Sequence, residues 1–159
     1  MRLPVIESSL DAHGEESDRI ARLVTELQSN IRGTVRGDVL ERGLYATDAS
    51  PYDVMPMAVV APRDTADLTT AMEICASHAV PILPRGAGTS LGGQTVNAAV
   101  VIDFSPFMNG VISIDTEART ARVQPGLILD DFKRALQPCG LGFGPDVSTS
   151  THATMGGMI

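Results

Sequence analysis

Pro84-Arg85-Gly86-Ala87-Gly88-Thr89-Ser90-Leu91-Gly92-Gly93-Gln94 packs glycines, two hydroxyls and one Arg into a stretch directly behind the apolar run Val80-Pro81-Ile82-Leu83. Glycine reaches positive φ and leaves no Cβ in the way, so successive N–H groups can converge on one anion. Thr89 and Ser90 add hydroxyl donors. The apolar run reads as a short buried strand, which sets the loop at the strand's carboxyl end, where open α/β sheets bind ligands. Pro84, Arg85, Gly86, Ala87, Gly88, Thr89, Ser90, Leu91, Gly92 and Gln94 are therefore the first group of candidate phosphate-holding residues.

Two familiar phosphate loops are excluded. A Walker loop ends in Gly-Lys-Ser/Thr, and the one lysine of the chain is Lys133, far downstream. A dinucleotide fingerprint of the Rossmann kind needs Gly-x-Gly-x-x-Gly opening a helix; here Gly92 follows Gly88 at the wrong spacing, and Asn97 and a further apolar run come next. A second stretch, Gly144-Pro145-Asp146-Val147-Ser148-Thr149-Ser150-Thr151-His152-Ala153-Thr154-Met155-Gly156-Gly157-Met158-Ile159, repeats the combination of a Pro, small hydroxyl residues and paired glycines.

Together the two stretches resemble the flavin-contacting segments of the FAD-binding domain shared by vanillyl alcohol oxidase, p-cresol methylhydroxylase and the glycolate oxidase and D-lactate dehydrogenase flavoproteins. With Pro62-Arg63 leading a helix between strands, the resemblance covers Tyr45 to Ile159. The Gly43 to Tyr52 segment is most similar to the D-2-hydroxyacid dehydrogenase branch. The resemblance implies that Pro145, Asp146, Ser148, Thr149, Thr151, His152, Ala153, Thr154, Gly156 and Gly157 join the first loop in binding FAD. It also implies an N-terminal fragment of a flavin-dependent oxidoreductase: residues 1–44 a helical segment and link, 45–159 an incomplete FAD-binding domain, and a substrate domain missing beyond Ile159. The parent reaction would be oxidation of a D-2-hydroxy acid of the D-lactate, glycolate or D-2-hydroxyglutarate type to the 2-oxo acid, with electrons leaving to a quinone, cytochrome or iron-sulfur carrier. The alternatives are a same-fold flavoenzyme for a phenolic, sugar or cell-wall precursor substrate, and a non-catalytic nucleotide-binding fragment. Some members tie the flavin to a histidine at the position filled here by Thr89, which cannot make that bond, so noncovalent FAD is expected.

The remainder of the chain sets bounds. Its 159 residues allow one domain with a real core, since chains of this size bury about 70% of their unfolded surface. The net charge of −7 argues against nucleic acid as a partner and against simple adhesion to anionic lipid. No 18-residue apolar run appears, and the acids Glu7, Asp11, Glu15 and Glu16 do not suit a signal peptide. A cytoplasmic location follows, at a membrane only peripherally through the missing part or a partner. Cys75 and Cys139 lack metal spacing and read as buried free thiols at helix positions. No metal set, nucleophile triad or carboxylate pair stands out; catalytic residues remain unassigned, which fits chemistry supplied by a flavin. Asp130 and Asp131 suit a solvated helix start better than a metal. His13 lies in a polar tail and His78 at a helix end. His152 either tunes a flavin or simply fills its surroundings.

The pattern of apolar residues predicts an α+β fold with a small parallel βαβ-containing sheet, and the resemblance implies that it joins the start of a larger, mostly antiparallel sheet. Ile20, Leu23, Val24, Leu27 and Ile31 predict an amphipathic helix from Ser17 to Ile31, with Glu15 and Glu16 before its start, followed by a loop-like link around Val35. Ala58–Ala61 reads as a buried strand, Asp64 as an N-cap, and Leu68, Ala71, Met72 and Cys75 as the inward stripe of a helix running to Ser77. Val80–Leu83 then returns as a strand parallel to it, in a right-handed βαβ unit. Val100–Phe104 is a further strand. Asn109-Gly110 marks a tight turn into Val111–Asp115, which pairs with Thr120–Gln124 as a hairpin. Ile128, Leu129, Phe132, Ala135 and Leu136 form a helix ending near Pro138, and Gly140–Gly144 leads into the second stretch.

Overall fold

Two buried runs, apolar except for the terminal Asp103, decide where the centre of the sheet lies. Strands β2 (Ala58–Ala61) and β4 (Val100–Asp103) are buried along their full lengths, and such runs belong in the middle of a covered parallel sheet. The computed structural model, which describes residues 8–159, sets them side by side in parallel, Ala58 opposite Val100 and Val60 opposite Ile102. Strand β3 (Ile82–Arg85) runs parallel on the far side of β4, and β1 (Thr34–Arg36) runs antiparallel outside β2. The order is β1-β2-β4-β3.

This order adds one strand to the expected β2–helix–β3 unit. The two strands are parallel as expected, but β4 stands between them. Pro84 supplies the reason: proline gives no N–H to a ladder, so its strand belongs at an edge with one neighbour. β3 is accordingly half-exposed rather than buried, and it starts at Ile82, two residues later than expected. The Val35 segment is likewise a strand and not a link. Gly33 lets it approach, because a Cβ there would stand 2.1 Å from the Ala61 carbonyl oxygen.

Helices cover the sheet. Helix α1 (Ser8–Asn30) starts well before the expected Ser17, no proline interrupting its polar first half, so Glu15 and Glu16 lie within it. Residue Glu7 and the side chains of Asp11, His13 and Glu15 lie outside the described residues. Leu23 and Leu27 are fully buried against β1, β2 and α3, each worth about 2 kcal/mol of transfer free energy. A short helix α2 (Val39–Gly43) follows β1. Asp64 caps α3 (Thr65–Ser77) as expected, accepting from the Asp67 N–H. The inward face of α3 is Ala71, Ile74 and Cys75; Met72 is half-exposed, because Ile74 takes the buried place.

Asp67 joins these elements. Its buried carboxylate accepts from the backbone N–H groups of Arg32, Gly33 and Arg63 at 3.2, 2.9 and 3.0 Å. Burial pushes its pKa upward, yet the N–H donors of Arg63 and Arg32 and the Arg32 guanidinium outweigh that and hold it below the ordinary value.

The chain then leaves for a smaller second unit. β5 (Val111–Asp115) and β6 (Thr120–Val123) form an antiparallel hairpin, turned through residues 116–119 with Asp115 accepting from the Glu117 and Ala118 N–H groups. Gly110 sits at the open end of this hairpin, its carbonyl accepting from Gln124 N, rather than in its turn. Helix α4 (Leu129–Leu136) buries Leu129, Phe132 and Leu136 against Leu127 and Met155. Asp130 and Asp131 occupy its first turn, as expected, with Asp131 paired to Arg134. Cys75 is buried, but Cys139, in the 3-10 turn after α4, is exposed.

Candidate functional site

β3 and β4 end together, Arg85 opposite Asp103, and the glycine loop leaves from that end. Facing it is the second stretch, held beside residues 125–130 by backbone bonds from Leu129 N to Ala153 O, Met155 N to Leu127 O and Gly156 N to Pro125 O at 2.8 to 2.9 Å. Between the two lies a cleft of about 730 Å³.

The sequence-predicted residues divide cleanly. Gly86, Ala87, Gly88, Thr89, Ser90, Leu91, Gly92 and Gln94 line one wall, and Pro145, Thr149, Ala153, Thr154 and Gly157 line the other. Pro84, Arg85, Asp146, Ser148, Thr151, His152 and Gly156 do not line it. Asp146 pairs instead with Lys133 at 2.7 Å, whose hydrogen bond and charge hold its carboxyl below the ordinary range. The exposed His152 ring meets Thr151 Oγ1 at 2.8 Å. Gly156 packs on Pro125, where a Cβ would come within 2.7 Å. Thr95, Val147 and Met158 line the cleft without having been singled out. Thr95 was findable as one more hydroxyl directly behind Gln94; the two apolar residues carried no local signal.

The walls touch at one point. A Cβ on Gly86 would lie 2.1 Å from Thr154 Oγ1, and Thr154, itself buried, caps the 3-10 turn Met155–Gly157 by accepting from Gly157 N. Within the loop, Ser90 Oγ accepts from Gly92 N and Gln94 N at 3.3 and 3.2 Å and also bonds the Gln94 side chain. Among the described residues, the N–H groups of Ala87, Gly88, Thr89, Ser90 and Leu91 donate to no other group of the chain. Backbone donors in that state, at a strand's carboxyl end, suit the oxygens of a phosphate or pyrophosphate.

Polar groups beneath the loop fix its shape. Arg85 donates to the carbonyls of Tyr45, Thr47 and Thr95. Asp48 accepts from Ser50 N and from Thr95 N and Oγ1; hydrogen bonding with Ser50, then Thr95, holds its pKa down at about 2 against some burial. Tyr45 donates to Asp103 at 2.8 Å, and its own pKa is pushed up to about 12, first by burial and then by that bond. Gly93, at φ +77°, rests against the Tyr52 ring.

Residues 56–159 match the family described as FAD binding domain. The chain belongs to that family. It is 40% identical over 134 residues to the D-2-hydroxyglutarate dehydrogenase of Pseudomonas putida, an alignment covering 82% of this chain and 13% of the relative. It is 45% identical over 121 residues to the glycolate oxidase subunit GlcD of Bacillus subtilis, covering 74% of this chain and 26% of the relative. The chain thus spans a minor part of the length of these relatives. In fold it is similar to an alkyldihydroxyacetonephosphate synthase, with a TM-score of 0.76, 22% identity, and coverage of 86% of this chain and 30% of that one. FAD is therefore the cofactor of the family to which the chain belongs, and the unpaired loop donors and the glycine-lined approach fit a pyrophosphate. Among the described residues no cluster of His, Cys, Asp and Glu could hold a metal, and no helix is long and apolar enough to cross a membrane.

Proposed function

We propose that the cleft between residues 86–94 and 145–158 holds FAD, and that the polypeptide to which this domain contributes oxidises a D-2-hydroxy acid of the D-lactate, glycolate or D-2-hydroxyglutarate type to the 2-oxo acid. The single observation that carries the reading is the convergence of two glycine- and hydroxyl-rich segments, far apart in the chain, on one cleft. The identities of 40% and 45% to a D-2-hydroxyglutarate dehydrogenase and a glycolate oxidase subunit favour that substrate class.

FAD held between these walls would supply the redox chemistry, hydride acceptance and onward electron transfer to a quinone, cytochrome or iron-sulfur carrier. The residues described here bind and orient it. The loop N–H groups receive the pyrophosphate charge, each such bond contributing roughly 1.5–3 kcal/mol. Thr89, Thr149 and Thr95 offer hydroxyls along the walls, and Met158 and Val147 give the cleft an apolar side. Thr89, at the position where some members of the family carry a flavin-bonding histidine, lines the cleft, which supports noncovalent attachment. Substrate groups belong to a further domain C-terminal to residues 45–159, with residues 8–44 bracing the sheet. The setting is cytoplasmic, peripheral at a membrane through the rest of the polypeptide or a partner.

The test is the flavin spectrum of the purified protein, followed by acid precipitation. The expected result is a stoichiometric flavin that appears in the acid supernatant over a colourless pellet, and dye reduction with one of the three named hydroxy acids in a polypeptide that includes the substrate domain. A protein that takes up no flavin would refute the cleft assignment. A pellet that stays yellow would refute the noncovalent reading alone.

A further inference from the structure

The one cation at the base of the phosphate loop is turned away from the cleft. Arg85 closes β3, and its guanidinium donates through Nη1 to Tyr45 O at 3.1 Å and Thr95 O at 3.0 Å, and through Nη2 to Thr47 O at 2.8 Å. Arg85 and Thr95 flank the loop on either side, so this fork ties its two ends to each other and to residues 45–47. We propose that Arg85 is a positioning residue for FAD binding, one that touches no phosphate and instead sets the loop's N–H groups in their converged arrangement.

Three observations carry the proposal besides the fork. The guanidinium lies 5.3 Å from the Tyr45 ring centroid, and the Tyr45 hydroxyl bonds Asp103, a buried residue at the end of the central strand β4, so the clamp is anchored in the sheet. Thr95 is held a second time by Asp48. Gly88, at φ +69°, rests on the clamp: a Cβ there would stand 2.5 Å from Nη2. The rigid guanidinium fork spreads its donors over carbonyls of separate segments, whereas a lysine ammonium gathers its three donors at one point on a flexible stem.

The inference rests on the loop holding the FAD pyrophosphate, and the experiment separates the two. The chain and its Arg85→Lys, Arg85→Met and Arg85→Ala variants are titrated with FAD by flavin fluorescence at low and high salt, with Asp67→Asn as a destabilised variant whose hydrogen bonds go to Arg32, Gly33 and Arg63 and not to the loop. Positioning predicts that Arg85→Lys and Arg85→Met weaken FAD alike, about 10- to 100-fold for the loss of two or more charge-assisted bonds, with the salt dependence of the parent unchanged. It also predicts that added ethylguanidinium restores affinity to Arg85→Ala. If Arg85→Lys binds FAD within about threefold of the parent while Arg85→Met does not and loses salt dependence, Arg85 contacts phosphate and the proposal fails. Asp67→Asn weakening FAD as much as Arg85→Lys would reduce the effect to general destabilisation and also overturn it. A parent chain that binds no FAD overturns the loop reading, and this proposal with it.

Discussion

The two walls of the cleft are built on opposite plans. The 86–94 loop hangs on side chains, from Arg85, Asp48 and Tyr52, while the 145–158 segment is carried by backbone bonds to residues 125–130. A side-chain clamp fails when one residue is replaced. A backbone ladder tolerates most side chains and fails only where the chains can no longer approach or the core beneath them is emptied. The same cleft therefore has one wall sensitive to polar substitutions and another sensitive to glycines and buried apolar residues.

The sharpest way to break that contrast is to strike where the walls meet. Gly86→Val places a branched side chain against Thr154 Oγ1, which already stands 2.1 Å from an ideal Cβ. Gly88→Val adds the cost of positive φ at a β-branched residue, on the order of 1–3 kcal/mol, to a clash with the Arg85 clamp. Both should abolish FAD occupancy, read from the flavin spectrum. Gly43→Ala, in open space at the end of α2, should leave it intact. Undiminished flavin in Gly86→Val would show that the walls do not have to close.

Next in size comes the core under the second wall. Met155 is buried with Leu127, Leu129, Phe132 and Leu136, and Met155→Ala should cost about 2–5 kcal/mol. Because a hairpin such as β5–β6 is marginal by itself, the loss should fall on the second unit. Hydrogen exchange should show residues 111–136 and 153–157 exposed while β2 and β4 stay protected. Uniform loss of protection would mean that the two units unfold as one.

Much of this arrangement was legible in sequence, for identifiable reasons. The glycine loop, the hydroxyl run ahead of Gly156-Gly157, the Asp64 cap and the amphipathic faces of α1 and α4 are local patterns, and each lies where expected. What was not legible depends on distant chain. Nothing near Val35 announces that it pairs with Val60, and the insertion of β4 beside β3 depends on competition among strands, decided by which one can sit at an edge. The reading of Arg85 stayed open between the pyrophosphate and structure because two of the carbonyls it holds lie 38 and 40 residues upstream, and a carbonyl carries no residue signature. Met72 was misplaced because a helical stripe gives the direction of the core only to within a residue, and Cys139 because it lies past the end of α4, in a 3-10 turn that the stripe does not reach.

Below the glycine and core effects lies Asp67, which belongs to neither wall and tests whether the loop depends on the sheet's outer edge. Its folded pKa is depressed, so its contribution is fully present above the unfolded value of about 3.9 and is lost as pH falls through the lower folded value. Asp67→Asn keeps one acceptor for several N–H donors and should cost roughly 1–3 kcal/mol at neutral pH. The stability difference from the parent should shrink only below about pH 4. A difference that instead grows with acidification would reverse the sign and assign the carboxyl a raised pKa.

The smallest effect separates a wall residue from its neighbour. His152 lies inside the second stretch, between Thr151 and the cleft-lining Ala153, yet it is exposed and its ring is engaged with Thr151 Oγ1. The backbone of that turn is held independently of the ring, through His152 N and Ala153 N donating to Thr149 O at 2.8 and 2.7 Å. His152→Ala should therefore change FAD affinity by less than about threefold, the scale of a surface substitution within ±0.5 kcal/mol. Thr154→Val, two residues on, removes the oxygen that caps the Met155–Gly157 turn and should cost about 0.5–2 kcal/mol of stability together with a measurable loss of FAD. Equal losses in the two variants would show that the ladder does not shield this wall from its exposed side chains, and the contrast between the walls would collapse at its weakest point.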